Sequence, residues 1–254
     1  MSTVFSNLDE RLASSLERRG WEPTPVQTAA LPDLCAGEDR IIIAPTGSGK
    51  TLSAVLPVLH RCLSEQWDPL AILYITPLRA LNRDVDRRLE EITSDVGLKV
   101  GLRHGDTTQS ERARQTRKPP HLLVTTPETF QLMFTGKNLR RLLGSVRAVI
   151  VDEVHDLAAS ERGWQLSLGL ARLEALSGHK VQRIGLSATV GNPDAVADWL
   201  SPNHGKAIIA MGERDTELTV ECAHPLAEDE VGGIEMGVTP VSYTHLTLPT
   251  KRIV

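Results

Sequence analysis

A doubly wound α/β domain, a mostly parallel sheet with helices on both faces, is what this sequence predicts, and three observations carry the expectation. Short β-branched runs alternate with amphipathic stretches from Arg40 to Ser187, the pattern of strands joined by right-handed helical crossovers. Most of those runs are apolar at every position, as strands buried on both faces of a parallel sheet must be. The first run also opens into a glycine-containing loop and then a helix, a junction typical of such sheets. The 254 residues, 41% hydrophobic and 24% charged, leave room for one large domain, or one domain plus part of a second.

Each element has its own signal. Leu8, Leu12 and Leu16 share one face of a short helix that ends at Gly20, and Pro23 and Pro25 open the next segment. Strands are expected at Arg40–Ala44, Ala71–Thr76, Lys99–Arg103, His121–Thr126, Arg147–Asp152 and Gln182–Ser187. Helices are expected at Lys50–Leu63, Arg79–Ile92, Gln109–Gln115, Glu128–Phe134 and Gly163–Leu176. The last carries Leu166, Leu168, Leu170, Leu173 and Leu176, which read mostly as core. Lys206–Met211 is a candidate further strand, and the chain then turns acidic around Glu228-Asp229-Glu230.

Composition excludes several classes. No apolar run is long enough to span a bilayer, and no basic start followed by an apolar stretch marks a leader, so a cytoplasmic protein with no membrane partner is expected. Cys35, Cys62 and Cys222 lie far apart in no metal-ligand spacing and read as thiols in a reducing compartment. With 28 basic against 32 acidic residues the net charge is −4, so overall basicity does not announce a nucleic-acid binder. Local patches decide that question.

The chemistry begins after the first strand, at Ala44-Pro45-Thr46-Gly47-Ser48-Gly49-Lys50-Thr51. A strand, a tight glycine loop and a helix N-terminus offer backbone N–H groups to phosphate oxygens. Lys50 supplies a charge for the β and γ phosphates, and the Thr51 hydroxyl a ligand for Mg²⁺. Ala44 stands where the general pattern has its first glycine. A second acidic element follows Ala148–Val151, where Asp152-Glu153 emerge at a strand end. One carboxylate there can hold Mg²⁺ while its neighbour orients and deprotonates the attacking water.

Asp152-Glu153-Val154-His155 resembles the DExH box of superfamily 2 helicases, and Ser187-Ala188-Thr189 their SAT element. Thr76–Leu81 is similar to motif Ia, Thr125–Glu128 to motif Ib, and Gly20–Gln27 to the adenine-reading Q motif. The likeness runs from about Phe5 to Pro202, with every motif in order. Within the superfamily, Ile75–Asp84, Gly101–Gln115, Val151–Gly163 and Gly185–Pro193 resemble the large helicase-related (Lhr) group. The resemblance implies a RecA-like P-loop NTPase fold, ATP and Mg²⁺ as cofactors, and single-stranded or partly duplex DNA or RNA as partner. It also implies unwinding in the 3′-to-5′ sense.

Carried over position by position, the resemblance implies that Gln27 binds the adenine edge, with Phe5 or Trp21 stacking on the ring or packing in the core. Thr46, Gly47, Ser48, Gly49, Lys50 and Thr51 would hold the phosphates, and Thr51 and Asp152 the metal. Glu153 would act on the water, and His155, Ser187 and Thr189 would couple the nucleotide to the nucleic-acid face. Pro77, Arg79, Gly105, Thr126 and Glu128 fall on the loops that contact backbone phosphates in this family. The basic run Arg103, Arg112, Arg114, Arg117 and Lys118 is interrupted by Asp106 and Glu111 and reads as a solvated helix face or an added phosphate contact.

Superfamily 2 motors pair two RecA-like domains, and the second brings an arginine finger. No such motif follows Thr189 in this sequence. The expected organisation is a lead-in at 1–30, the first motor domain at 31–205, and a connector or incomplete second domain at 206–240. Residues 241–254 resemble translated sequencing-adapter DNA and are expected to be a non-native tail; a short native strand is the alternative. A nucleotide-dependent clamp without productive turnover and a different P-loop enzyme are the competing readings. The Asn-Lys-x-Asp guanine motif of GTPases is absent.

Overall fold

The computed structural model describes residues 4–77, 89–188, 190–202 and 205–210. These belong to the unit spanning Met1–Glu213. Arg79, Thr189, most of the expected helix at Arg79–Ile92, and the expectations for 211–254 lie outside the described residues.

The chain runs through α1 (Glu10–Arg18), α2 (Pro25–Cys35), β1 (Arg40–Ile43), α3 (Lys50–Ser64) and β2 (Ile72–Ile75). It continues through α4 (residues 89–95), β3 (Val100–Arg103), α5 (Gln109–Arg117), β4 (Leu122–Thr125), α6 (Pro127–Met133) and α7 (Lys137–Leu143). Then come β5 (Ala148–Val151), α8 (Val154–Ala158), α9 (Glu161–Ser177), β6 (Gln182–Ser187), α10 (Pro193–Leu200) and β7 (Lys206–Ile209). The strands form one seven-stranded sheet in the order β3-β4-β2-β5-β6-β1-β7. Every pairing is parallel.

Parallel pairing explains the uniform apolarity of the strands. Successive side chains point to opposite faces, and both faces are covered. Ile42, Ile72, Tyr74, Val124 and Ile150 join the layer formed by α1, α2, α3 and α4. Ile41, Ile43, Leu73, Ile75, Val149 and Val151 join the layer formed by α6 to α10. Only the edge strands β3 and β7 are partly exposed.

Two expectations are corrected. Leu168 is exposed, not core, because Leu166, Leu170 and Leu173 occupy the buried face of α9 and a residue two positions on from Leu166 points the opposite way. Helices α2, α7, α8 and α10 add elements that the sequence reading left as connections.

The thiols give a first test. Burial raises the pKa of Cys35 and of Cys62 to about 11 in each case. The thiolate is the reactive form, and at pH 8 only about one thiol in a thousand would carry it. Both cysteines are expected to stay unmodified by iodoacetamide in the native chain at pH 8, as read by peptide mass mapping. Rapid labelling of Cys62 would contradict the packing of α3. Among the described residues, no helix is long and apolar enough to cross a membrane.

Candidate nucleotide and nucleic-acid site

All strand ends that carry candidate residues lie on the carboxyl edge of the sheet, where ligands gather in open α/β folds. The Ala44 N–H donates to the Ser187 carbonyl at 3.2 Å, tying the loop after β1 to the end of β6. Gly47 and Gly49 adopt φ of +81° and +93°, the left-handed region that favours glycine. At Gly49, the N-cap of α3, a Cβ would sit 2.8 Å from Gln27 Nε2 and 3.1 Å from Thr24 Oγ1. The loop can close on α2 only because nothing projects there.

Gln27 is buried beneath that loop. Its Oε1 accepts from the Thr24 N–H at 3.0 Å, and its Nε2 donates to the Gly49 carbonyl at 3.4 Å. The amide expected to read adenine is thus spent on the start of α2 and on the phosphate-type loop. An adenine contact would require it to exchange a partner. Phe5 is a core residue, whereas Trp21 is exposed, with the Arg19 guanidinium 5.8 Å from its ring centroid. Of the two aromatics, Trp21 is the one open to a stacking partner.

Lys50 Nζ donates to the Ala44 carbonyl at 2.6 Å, so the ammonium lies folded over its own loop. Burial lowers its pKa, and Glu153 and Asp152 pull it back up. The Ser48 hydroxyl is buried with no hydrogen-bond partner, an orphan donor of the kind that a bound oxyanion would satisfy.

Asp152 follows β5 directly. Its Oδ2 accepts from the Tyr74 phenol at 2.6 Å and its Oδ1 from the Glu153 N–H at 3.0 Å. Glu153 takes a left-handed backbone, φ +49° and ψ +47°, which for a non-glycine residue stores on the order of 1–3 kcal/mol. Such strain aims its side chain away from the strand line. His155 joins the parts: its Nδ1 is 3.0 Å from Ser187 Oγ and 3.5 Å from Glu153 Oε2. Burial is the largest cause raising the pKa of Asp152, and burial followed by the Asp152 charge raises that of Glu153.

A group whose pKa is raised by folding binds protons more tightly in the native state, so its ionisation weakens the fold. The contribution is present below the unfolded pKa and is lost as pH rises through the folded value. Asp152→Asn is therefore expected to leave the Tm of the metal-free chain at pH 7 unchanged or higher, a stability gained at a functional position. A fall of several degrees in differential scanning calorimetry would contradict this.

On the β2 and β4 side, the structure brings Pro77 and Glu128 together through a residue that sequence reasoning missed. Arg162, in the first turn of α9, pairs with Glu128 at 2.7 Å and donates to the Pro77 carbonyl at 3.3 Å. Its neighbour Gly163 packs so closely on α8 that a Cβ would overlap the Leu157 carbonyl. Thr126 caps α6 by accepting from the Thr129 N–H at 3.3 Å. Gly105 lies on the β3 side, its carbonyl accepting from Arg112 at 3.0 Å. Arg112 also donates to the carbonyls of His104 and Thr107, and Arg103 is buried against Gln115. Those two arginines build the loop. Arg114 pairs with Glu111 at 2.7 Å and lies with Arg117 and Lys118 on an exposed face.

Among the described residues, no group of three or more His, Cys, Asp or Glu gathers to hold a metal. The donor set at the loop is of another kind. Among the described residues, the desolvated carboxylates of Asp152 and Glu153 act on the Lys50 ammonium, which leaves negative charge that a divalent cation bound with phosphates would offset.

Comparison with known proteins agrees with this geometry. The family model described as DEAD/DEAH box helicase matches residues 24–196. The chain is 42% identical over 193 residues to an ATP-dependent helicase Lhr-Core of Methanothermobacter thermautotrophicus, a match covering 70% of this chain and 22% of the relative. It is 38% identical over 240 residues to the Lhr helicase/uracil glycosylase of Escherichia coli, covering 85% and 15% respectively. The structure of Mycobacterium smegmatis helicase Lhr bound to ssDNA and AMP-PNP superposes with a TM-score of 0.74 at 39% identity, over 83% of this chain and 28% of that one. The chain thus spans about a fifth of the length of these relatives.

Proposed function

Because the chain belongs to the DEAD/DEAH box helicase family, we propose that it is the first motor domain of an ATP-driven nucleic-acid translocase of the Lhr type. It would bind ATP with Mg²⁺ at the carboxyl edge of the sheet and contact the backbone of single-stranded or partly duplex DNA or RNA along the β2–β4 rim. The observation that carries this reading is His155, which contacts Glu153 of one strand end and Ser187 of another. Nucleotide chemistry and the SAT element are thereby joined by one side chain.

The geometry supports the following roles. The N–H groups of the loop and the orphan Ser48 hydroxyl would bind phosphate oxygens, with Lys50 leaving the Ala44 carbonyl for the β and γ phosphates. Thr51 and Asp152 would hold Mg²⁺, whose charge would offset that of the phosphates. Glu153, aimed by its left-handed backbone, would accept the proton of the attacking water. Pro77, Gly105, Thr126 and Glu128 would shape a backbone-contacting rim whose Arg162–Glu128 pair is open to solvent. Arg79 and Thr189 are proposed for the rim and the coupling element from sequence alone. The 3′-to-5′ sense and a second RecA-like domain supplied by a longer protein are proposed from the same likeness.

Isothermal titration of the 254-residue chain with a non-hydrolysable ATP analogue tests this. One weak, Mg²⁺-dependent site per chain is expected, because half of the nucleotide pocket belongs to the opposing domain. No binding at millimolar analogue, or binding indifferent to Mg²⁺, would overturn the reading.

A further inference from the structure

Tyr74 plays no part in the roles above, yet among the described residues it is the largest fully buried side chain, and it reaches Asp152. It lies on β2, in register beside Ile150 of β5, so its ring packs in the layer beneath the P-loop helix α3. The phenol donates to Asp152 Oδ2 at 2.6 Å, the short length of a hydrogen bond to a charged acceptor. The bond uses the one proton that the phenol has to give, and it joins β2 to a residue 78 positions on.

We infer that Tyr74 is a positioning residue for the metal site: its phenol holds Asp152 Oδ2 while the Glu153 N–H holds Oδ1, which fixes the plane in which the carboxylate meets a cation. The inference rests on the assignment of Thr51 and Asp152 as the metal-holding pair. The middle of β2 and the end of β5, far apart in sequence, are registered to each other by this phenol. Without it, Oδ2 loses its donor and the carboxylate turns, so the metal-holding pair meets a cation in the wrong orientation.

Tyr74→Phe keeps the ring and its packing while deleting only the hydroxyl. The 254-residue chain, its Y74F and D152N variants and the double variant are each titrated with a fluorescent ADP analogue, in EDTA and over a series of Mg²⁺ concentrations. Y74F is expected to bind the analogue in EDTA as the parent does. It should need about tenfold more Mg²⁺ to reach half-maximal tightening, the effect of losing one hydrogen bond to a charged group. In the D152N background the same change should add nothing. A merely structural role would lower affinity in EDTA as well and leave the Mg²⁺ midpoint where it was. An unmoved midpoint in Y74F beside a shifted one in D152N would overturn the role of Tyr74 alone. An unmoved midpoint in both would overturn the metal assignment beneath it.

Discussion

Glu153→Gln is expected to slow ATP hydrolysis by about 10²–10⁴-fold, the range supplied by a positioned general base. The effect should be read in single-turnover experiments on the chain joined to a second motor domain. The carboxamide cannot accept a proton from water, yet it is the same size as the carboxylate and can still accept a hydrogen bond from His155, 3.5 Å away. The left-handed backbone at Glu153 is set by the β5–α8 junction and should survive the change. ATP and Mg²⁺ binding are accordingly expected to persist. Loss of affinity with normal residual turnover would mean that the roles of Asp152 and Glu153 are exchanged.

Lys50→Ala carries the second large effect. The ammonium is the charge that the loop itself contributes, and burial together with the Ala44 carbonyl holds it ready over the phosphate site. Hydrogen bonds to charged groups contribute about 1.5–3 kcal/mol each, so losing those to two phosphates should weaken nucleotide binding by roughly a hundredfold or more. Calorimetric titration with an ATP analogue checks it, and unchanged affinity would show that the loop does not hold phosphate.

These two residues were legible in the sequence because their chemistry is local. Gly47, Gly49, Lys50 and Thr51 lie within five positions, and Asp152-Glu153 sit where an apolar run stops. The strands were legible for a related reason: burial on both faces removes polar residues, and Gln182–Ser187 is found with the bounds its run suggests. Helix α7 buries only Leu143 fully among its seven residues, too little for a period to show. Helix α8 has five residues and starts from a left-handed Glu153, which no propensity announces. Tyr74 and Arg162 escaped altogether. Tyr74 reads as one more apolar strand residue until β2 pairs with β5 and brings Asp152, 78 positions on, to its hydroxyl. Arg162 reads as an ordinary charge in a first turn until α9 packs on α6 and sets it against Glu128, 34 positions back. Gln27 shows the reverse: a residue legible as part of a pattern, whose amide the fold turns inward on Gly49.

The central proposal is that this chain is the first motor domain of a nucleic-acid-stimulated ATPase, and ATP turnover with and without single-stranded DNA or RNA tests it most directly. Arginine fingers from an opposing domain contribute on the order of 10³–10⁵ in rate. The 254-residue chain is therefore expected to turn over ATP barely above background whether or not nucleic acid is present. The same chain joined to a second motor domain of an Lhr-type relative should be active and strongly stimulated by single strands. Robust turnover by the 254-residue chain alone, or a two-domain protein indifferent to nucleic acid, would contradict the account.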